Sequence, residues 1–151
     1  MKKLLLTVFM LLVMSTSCLA AADWQWACSN ANLGMYFDKS TITFVKQKQI
    51  VNRDKVYVWV KTVFDEAYAQ KTGQENVGYT MTKVYLDFAN KKIGTSKHYV
   101  YNKNGEIIET LPAEKPEDII PSTIGEDLAN AVDSYVRTRT EEIEQRTRNA
   151  H

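Results

Sequence analysis

Two segments of the chain alternate between aliphatic side chains and aromatic or basic ones, the pattern of β-strands with one face in a core. In residues 55–64 and 79–88, the aliphatic face carries Val56, Val58, Val60 and Phe64, then Val84, Leu86 and Phe88. The opposite face carries Tyr57, Trp59, Lys61 and Val63, then Tyr79, Met81, Lys83, Tyr85 and Asp87. We predict that the aliphatic faces meet a covering helix and that the mainly aromatic and basic faces lie on the reverse of the sheet.

Shorter extended runs flank these two strands. They fall at Trp24–Cys28, Met35–Phe37, Thr41–Val45, Lys97–Tyr101 and Glu106–Thr110. The segments SNANLG and NKNG between them carry the Ser, Asn and Gly residues that favour turns. Residues 65–78 are typical of a short helical turn and a flexible loop, and Pro112, Pro116 and Pro121 predict a stiff connector without regular structure.

One helix is predicted near the end of the chain. Pro121 ends the preceding segment, and Thr123 with Glu126 forms a T-x-x-E capping box. Apolar residues then recur at helical spacing: Ile124, Leu128, Ala131, Val132 and Tyr135. Because this stripe has to be buried, we predict an α+β fold: a single antiparallel β-sheet of about six strands with a C-terminal α-helix packed on one face.

The last residues, 137–151, are dominated by charge. Two Glu–Arg pairs stand four residues apart, Glu142 with Arg146 and Glu144 with Arg148. Each such pair supports a helix by only about 0.2–0.5 kcal/mol, and Ile143 is the one large apolar residue. The pattern predicts a charged tail that is helical or disordered, and it favours a frayed, solvated helix.

The amino terminus has the composition of a secretory signal peptide. Two lysines precede the apolar run Leu4–Met14, and alanines follow it. The run is too short for a transmembrane helix, which needs about 20 apolar residues. We predict a signal peptide at residues 1–22 with cleavage after Ala20 or Ala22, one domain at 23–136, and export to the periplasm or cell surface.

Cys18 offers an alternative, because a cysteine just past an apolar run can carry the lipid anchor of a bacterial lipoprotein. Ser17 fits that signal, but Ser15 stands where leucine is preferred, so an unanchored protein is favoured. Once Cys18 is removed with the leader, Cys28 has no partner for an internal disulfide. We expect Cys28 to be buried, the alternative being an intermolecular link.

Charge and residue types narrow the classes of function. The chain has 19 basic and 18 acidic residues, and loss of Lys2 and Lys3 with the leader leaves a net charge of −1. Nucleic-acid binding is therefore not expected. His98 and His151 are the only histidines, and neither has a carboxylate at metal-ligand spacing. We predict a protein without catalytic activity, cofactor or metal.

Two hydroxyl residues stand directly before the predicted helix. Ser122 and Thr123 carry hydroxyls, but no elbow motif and no nearby histidine supports a nucleophilic role. We interpret both residues as helix caps.

Five segments, in this order, resemble the surface-adhesin protein E family of small exported bacterial proteins: GMYFDKSTITF, VYVWVK, TKVYLDF, YNKNGEII and IIPSTIGEDLANAV. The resemblance extends from Trp24 to about Val136. It implies an antiparallel sheet with a docked helix. It also implies an adhesin-like role, since the namesake is a cell-surface adhesin for host matrix proteins.

The chain departs from the family pattern at two positions. Many members carry a cysteine directly after the aspartate of the third segment and another after the Ala-Val of the last, and the resemblance implies that a disulfide joins them. Phe88 and Asp133 occupy these places here. We expect Phe88 to lie on the face that meets the helix and Asp133 to turn its carboxylate towards water.

The aromatic and basic residues on the reverse of the sheet are the candidate protein-binding site, since such residues are favoured at interface hot spots. They are Tyr57, Trp59, Lys83, Tyr85, Lys97, Tyr99 and Tyr101. The plainer interpretation is that tyrosines are good strand residues whose rings cover a sheet face.

Two functions of different classes follow. The first is an exported, non-catalytic binding protein, adhesin-like by resemblance, whose partner is a protein of the host matrix or the cell envelope. The second is a periplasmic module that binds a small apolar ligand, or an inhibitor of an envelope enzyme, using a pocket between helix and sheet. An open face rimmed by lysines favours the first, and a concave apolar cavity favours the second. No particular oligomeric state is predicted.

Overall fold

The structure, a computed structural model, describes residues 21–150. Residues 1–20, including Cys18, and His151 lie outside the described residues. No helix among the described residues is long and apolar enough to cross a membrane. The signal peptide and the alternative lipid anchor therefore stay predictions.

The described residues form one antiparallel sheet of eight strands. They are β1 Trp24–Ser29, β2 Leu33–Asp38, β3 Thr43–Gln47, β4 Ile50–Phe64, β5 Val77–Asp87, β6 Lys92–Asn102, β7 Ile107–Leu111 and β8 Glu114–Asp118. The main path runs in the order β1-β2-β4-β5-β6-β7, while β3 pairs with β4 and β8 pairs with β6.

Within residues 21–150, three α-helices and one short 3-10 helix, Lys39–Thr41, accompany the sheet. The α-helices are α1 Glu66–Lys71, α2 Ile124–Thr138 and α3 Thr140–Asn149. The two C-terminal helices, α2 and α3, contact β1, β3 and β4. Residues of both helices join the sheet in a single hydrophobic cluster, so both lie on the same face. The predicted α+β class, an antiparallel sheet with a C-terminal helix packed on one face, is confirmed.

The core lies between this face and the helices. The aliphatic strand residues are buried there, each at most 4% exposed: Val56, Val58, Val60, Val84 and Leu86. From α2 the buried residues are Leu128, Ala129, Val132 and Val136. Phe64, at the end of β4, instead stacks on Tyr68 of α1 with 6.2 Å between ring centroids. The strand faces predicted from alternation are thus the faces observed, and they explain where the helix docks.

The predicted capping box at the start of α2 forms only in part. Thr123 is the cap residue, but its side chain makes no cap bond and Oγ1 donates to the Ile120 carbonyl at 2.7 Å. Glu126 Oε2 accepts from the backbone N–H of Ser122 at 2.8 Å. Ser122 has a positive φ of 59°, and the turn brings its N–H to the glutamate in place of the N–H of Thr123.

The connector that contains the three prolines includes a strand, so the prediction of no regular structure there is wrong. The strand, β8, pairs with β6 on either side of Pro116. Proline is tolerated in an edge strand when its missing N–H is not needed for the ladder. Gly94 permits the close approach, because a Cβ at that position would lie 2.9 Å from the Pro116 nitrogen.

Helix α3 shows that the expectation of a frayed, solvated tail is wrong. Ile143 is fully buried and Thr147 is 3% exposed. The Phe44 N–H in β3 donates to Thr147 Oγ1 at 2.9 Å, and Arg146 Nη1 donates to the Lys39 carbonyl at 2.8 Å. A single apolar side chain is enough to dock the helix because it is accompanied by hydrogen bonds that join the polar side chains of the helix to the backbone of β3 and of the turn at Lys39.

Cys28 is buried, as expected for a small apolar core residue, and it forms no disulfide with any residue of 21–150. Its Sγ lies 3.7 Å from the Ile124 carbonyl oxygen. Burial first, and the Asp127 carboxylate second, raise the pKa of the thiol to about 11. The thiol therefore stays protonated near neutral pH, which makes it a poor nucleophile.

The two positions where the resemblance implies a disulfide hold non-covalent contacts. Phe88 is partly buried against the core cluster, and its N–H donates to the Asp54 carbonyl at 2.8 Å. Asp133 Oδ2 accepts from Arg137 Nε at 2.8 Å, and the Asp133 side chain is 28% exposed. Phe88 thus lies on the helix side of the sheet, and Asp133 keeps a partly exposed carboxylate, both as expected.

Candidate binding surface

The reverse face of the sheet carries all seven predicted binding residues. We name this surface the aromatic face, and its members are Tyr57 and Trp59 of β4, Lys83 and Tyr85 of β5, and Lys97, Tyr99 and Tyr101 of β6. Tyr57 lies opposite Tyr85, and Trp59 lies opposite Lys83. Lys83 in turn lies opposite Lys97. Directly opposed residues of antiparallel strands share a face, so strand pairing alone assembles the surface.

Neighbouring rings on the aromatic face contact each other. The centroids of Tyr57 and Tyr85 are 5.5 Å apart, and Trp59 stacks on Tyr99 at 6.1 Å. The Lys83 ammonium lies 5.3 Å from the centre of the Tyr57 ring, within cation–π range. Aromatic pairs of this kind contribute about 0.5–1.5 kcal/mol each beyond their burial. They also fix the orientation of the rings, so the surface is ordered before any partner arrives.

The aromatic face continues beyond the residues that the sequence singled out. The Lys61 ammonium lies 4.5 Å from the centre of the Tyr79 ring, and Tyr79 stacks on Tyr101 with 4.7 Å between centroids. Alternation along the strands had already put Lys61 and Tyr79 on the same face as the predicted binding residues. That alternation was sufficient reason to include both in the candidate site.

A further aromatic pair comes from the first two strands. Trp26 lies opposite Tyr36, which lies opposite Lys61, and the Trp26 and Tyr36 rings meet edge to face at 5.1 Å. Trp26 is 49% exposed, and a Cβ at Gly34 would lie 3.1 Å from its indole, so the glycine leaves room for the ring. A bulge between Trp26 and Cys28 shifts the register of this hairpin. Sequence periodicity does not reveal such a shift, and the pair was missed.

The members of the aromatic face reach solvent. Lys97 is exposed, and the other six residues are partly exposed. At one end of the face a depression of about 340 Å³ opens beside Tyr57 and Tyr85, with Thr95 and Pro116 on its far side. The surface therefore consists of partly exposed rings and lysines next to a shallow depression. The depression is large enough to receive a protruding side chain.

Asp87 ends β5 on the same side of the sheet as the aromatic face and pairs with Lys55. Its carboxylate accepts from the Asn90 N–H at 3.0 Å and from the Asn90 side chain at 2.9 Å, and the Lys55 ammonium lies 3.2 Å away. Burial alone raises the pKa of the Asp87 carboxyl, but the bonds from Asn90 and Lys55 outweigh it, and the pKa is lowered overall. The carboxylate therefore stays ionised although it is only 3% exposed.

Asp87→Asn is expected to lower the free energy of unfolding by about 1–3 kcal/mol at neutral pH, because one of the two acceptor oxygens becomes an NH2 group and the negative charge beside Lys55 is lost. A carboxyl whose pKa is lowered by folding contributes stability above its unfolded pKa of about 3.9 and loses it as pH falls through the folded value. Urea unfolding of both proteins at neutral and acidic pH measures this. The difference between them should shrink in acid, and a difference that is independent of pH would contradict the ionised, hydrogen-bonded carboxylate.

Within residues 21–150, no group of three or more His, Cys, Asp or Glu side chains is placed to hold a metal ion. His98 lies in β6 as expected, on the helix side of the sheet opposite Thr82. Ser122 and Thr123 stand at the start of α2, where their backbone and side chains serve the turn.

The model of one protein family, surface-adhesin protein E, matches residues 24–132. The chain belongs to the surface-adhesin protein E family. This confirms the family predicted from the five segments. Comparisons with curated proteins and with solved structures found no match.

Membership in the surface-adhesin protein E family implies a non-enzymatic role and a surface or exported location. The matched region runs from β1 into α2 and includes all seven members of the aromatic face. It ends at residue 132, so helix α3 lies beyond it.

Proposed function

We propose that this protein is an exported, non-catalytic binding protein of the cell envelope or cell surface, which holds a protein partner through the aromatic face. The observation that carries the proposal is the packed row of partly exposed rings and lysines on the sheet face opposite the helices. Membership in a family of surface adhesins supports a binding role. The partner class is a host matrix protein or another envelope protein.

The chemistry of the aromatic face favours a protein partner. Tyrosine and tryptophan offer large, rigid contact areas that lose little conformational entropy on binding. Their mutual stacking lowers that cost further, because the rings are already held in place. The lysines among the rings, Lys61, Lys83 and Lys97, favour a partner surface that carries carboxylates.

Trp59→Ala and Tyr85→Ala test the proposal directly. Neither ring lies against α2 or α3, so both variants should fold, with circular dichroism spectra like that of the parent protein. Truncating a hot-spot aromatic typically costs about 2 kcal/mol or more, which is roughly a thirtyfold loss of affinity. The measurement is binding of purified extracellular-matrix proteins and of envelope extract to immobilised residues 23–151.

Ile50→Ala is the matched control, because Ile50 is 76% exposed on β4 and lies outside the aromatic face. It should change neither stability nor binding. If Trp59→Ala and Tyr85→Ala both fold and bind like the parent protein, the proposal is wrong. Variants that unfold would show that the rings serve the fold, and Lys97→Glu, at an exposed position, would then test binding without removing a ring.

Location is tested on whole cells. Because the proposed partner is outside the cytoplasm, an added protease should cleave the protein on intact cells if it is displayed at the surface. Cleavage only after the outer barrier is opened would place it in the periplasm and restrict the partner to envelope proteins.

A further inference from the structure

The helix side of the sheet contains a cavity of about 700 Å³ that the proposed function does not use. Helices α2 and α3 contact β1, β3 and β4, and they leave part of β5 and β6 uncovered on that face. The cavity fills this space, bounded at one end by Gly125 and Leu128 from the first turns of α2. Its volume is within the range of about 300–1,000 Å³ that is typical of small-molecule sites.

The walls of the cavity change from aliphatic to polar along the strands. Val60 and Val84 continue the core face, and Val100 adds a third valine. Further along the same strands the core-facing positions hold threonine: Thr62, Thr80 and Thr82 are only 7–8% exposed. An apolar wall with a few hydroxyls is the composition of a ligand pocket, since the apolar part supplies affinity and the polar groups fix orientation.

His98 supplies the decisive polar atom. It lies opposite Thr82 in register and lines the cavity. Its Nε2 is buried and has no hydrogen-bond partner among the described residues. A buried polar atom without a partner costs free energy, and such atoms in folded proteins call for an explanation. Nε2 has almost no accessible surface, so a ligand group that bonds to it after a rotation of the imidazole towards the cavity provides one.

The charges around the cavity limit the ligand. Among the described residues that line it, the carboxylates of Glu109 and Glu114 are the charged groups, and no lysine or arginine contributes to the lining. An anionic head group would enter an apolar site without a cationic partner, which is unfavourable. A fatty acid carboxylate is therefore a poor fit, and an uncharged polar group fits well.

The geometry points to a binding site for one small uncharged amphiphile: an apolar chain or ring system that carries a single hydroxyl or an uncharged arylamine. After the imidazole turns towards the cavity, the polar group bonds to His98 Nε2 beside the Thr82 hydroxyl, and the apolar part lies along the valines and Leu128. This site is on the opposite side of the sheet from the aromatic face and does not depend on the proposed function.

The test uses N-phenylnaphthylamine, an uncharged probe whose fluorescence rises in apolar surroundings, with purified residues 23–151. A saturable fluorescence increase with one probe per chain is expected. Decanol should displace the probe, whereas decanoate in mildly alkaline buffer should displace it at least tenfold less well. Absence of saturable binding, or equal displacement by both competitors, would overturn the proposal.

Variants locate the probe. Thr82→Phe should narrow the cavity beside His98 and weaken probe binding at least tenfold. Leu111→Trp, at the 36% exposed mouth, should obstruct entry without touching the core, so it keeps the test valid if the first variant does not fold. His98→Leu should weaken displacement by decanol about tenfold, the value of one hydrogen bond.

Trp59→Ala is the control for the other face and should leave probe binding unchanged. If Trp59→Ala removes probe binding while Leu111→Trp does not, the probe occupies the aromatic face and the cavity proposal fails. If Trp59→Ala loses binding of the protein partner but still binds the probe, both proposed sites are supported. The two proposals can therefore fail independently of each other.

Discussion

Replacing Ile143 with alanine is expected to lower the free energy of unfolding by about 2–5 kcal/mol, although Ile143 stands in the most polar segment of the chain. Its side chain is fully buried between α3 and the sheet. Truncation removes its apolar contacts and leaves a cavity at the only large apolar contact that α3 makes. Because α3 is short and highly charged, it has little intrinsic tendency to stay docked without this contact.

Thermal or urea unfolding measures the effect of Ile143→Ala. For a domain of this size, a loss of about 3 kcal/mol corresponds to a fall in Tm of roughly 10 °C. Gln145→Ala, at an exposed position of the same helix, is the matched control and should leave Tm within about 1 °C. An unchanged Tm for Ile143→Ala would restore the interpretation of the tail as a solvated extension.

A second variant separates the polar part of this docking from the apolar part. Thr147 Oγ1 accepts from the Phe44 N–H and donates to the Ile143 carbonyl. Thr147→Val keeps the shape of the side chain but removes the acceptor from a buried N–H. The free energy of unfolding is expected to fall, because the Phe44 N–H is left buried without an acceptor. The hydrogen bond to Thr147 thus helps to hold α3 against β3.

The parts of the fold that follow from local periodicity could be predicted from the sequence. Alternation in β4 and β5 identified both faces of the sheet, and the spacing from Ile124 to Tyr135 identified α2. These patterns are readable because each buried residue repeats at the period of its element. The same alternation placed the four members of the aromatic face in β4 and β5 on one surface before the pairing of the strands was known: Tyr57, Trp59, Lys83 and Tyr85.

The parts that depend on pairing between distant segments could not be predicted. β8 contains Pro116, and its pairing with β6 requires the absence of a side chain at Gly94, which is a property of two segments together. Docking of α3 depends on Arg146 and Thr147, polar residues whose partners are backbone groups more than a hundred positions earlier in the chain. Such bonds have no periodic signature.

The cavity had a signal that was visible but not used. Threonine replaces aliphatic residues at core-facing positions of two neighbouring strands, at Thr62 in β4 and at Thr80 and Thr82 in β5. In an ordinary core, these positions would be filled by valine or leucine, as they are earlier in β4. From these threonines onward the sheet is no longer covered by α2 and faces the cavity instead.

Leu128→Ala is expected to cost about 2–5 kcal/mol of unfolding free energy. Leu128 is 2% exposed in the stripe that α2 buries, and it also borders the cavity. Its truncation therefore joins new empty volume to space that already exists. The surrounding residues cannot collapse to fill a void of that size, so little of the lost packing is recovered.

Urea unfolding of Leu128→Ala should show a lower midpoint with an unchanged slope, since the surface exposed on unfolding is nearly the same. Leu128→Met, which conserves volume, should cost less than about 1.5 kcal/mol. Asn130→Ala, on the exposed side of α2, controls for changes in helix propensity and should not destabilise the protein. If Leu128→Ala unfolded like the Asn130 variant, the helix could not be packed on the sheet through this stripe, and both the core and the wall of the cavity would have to lie elsewhere.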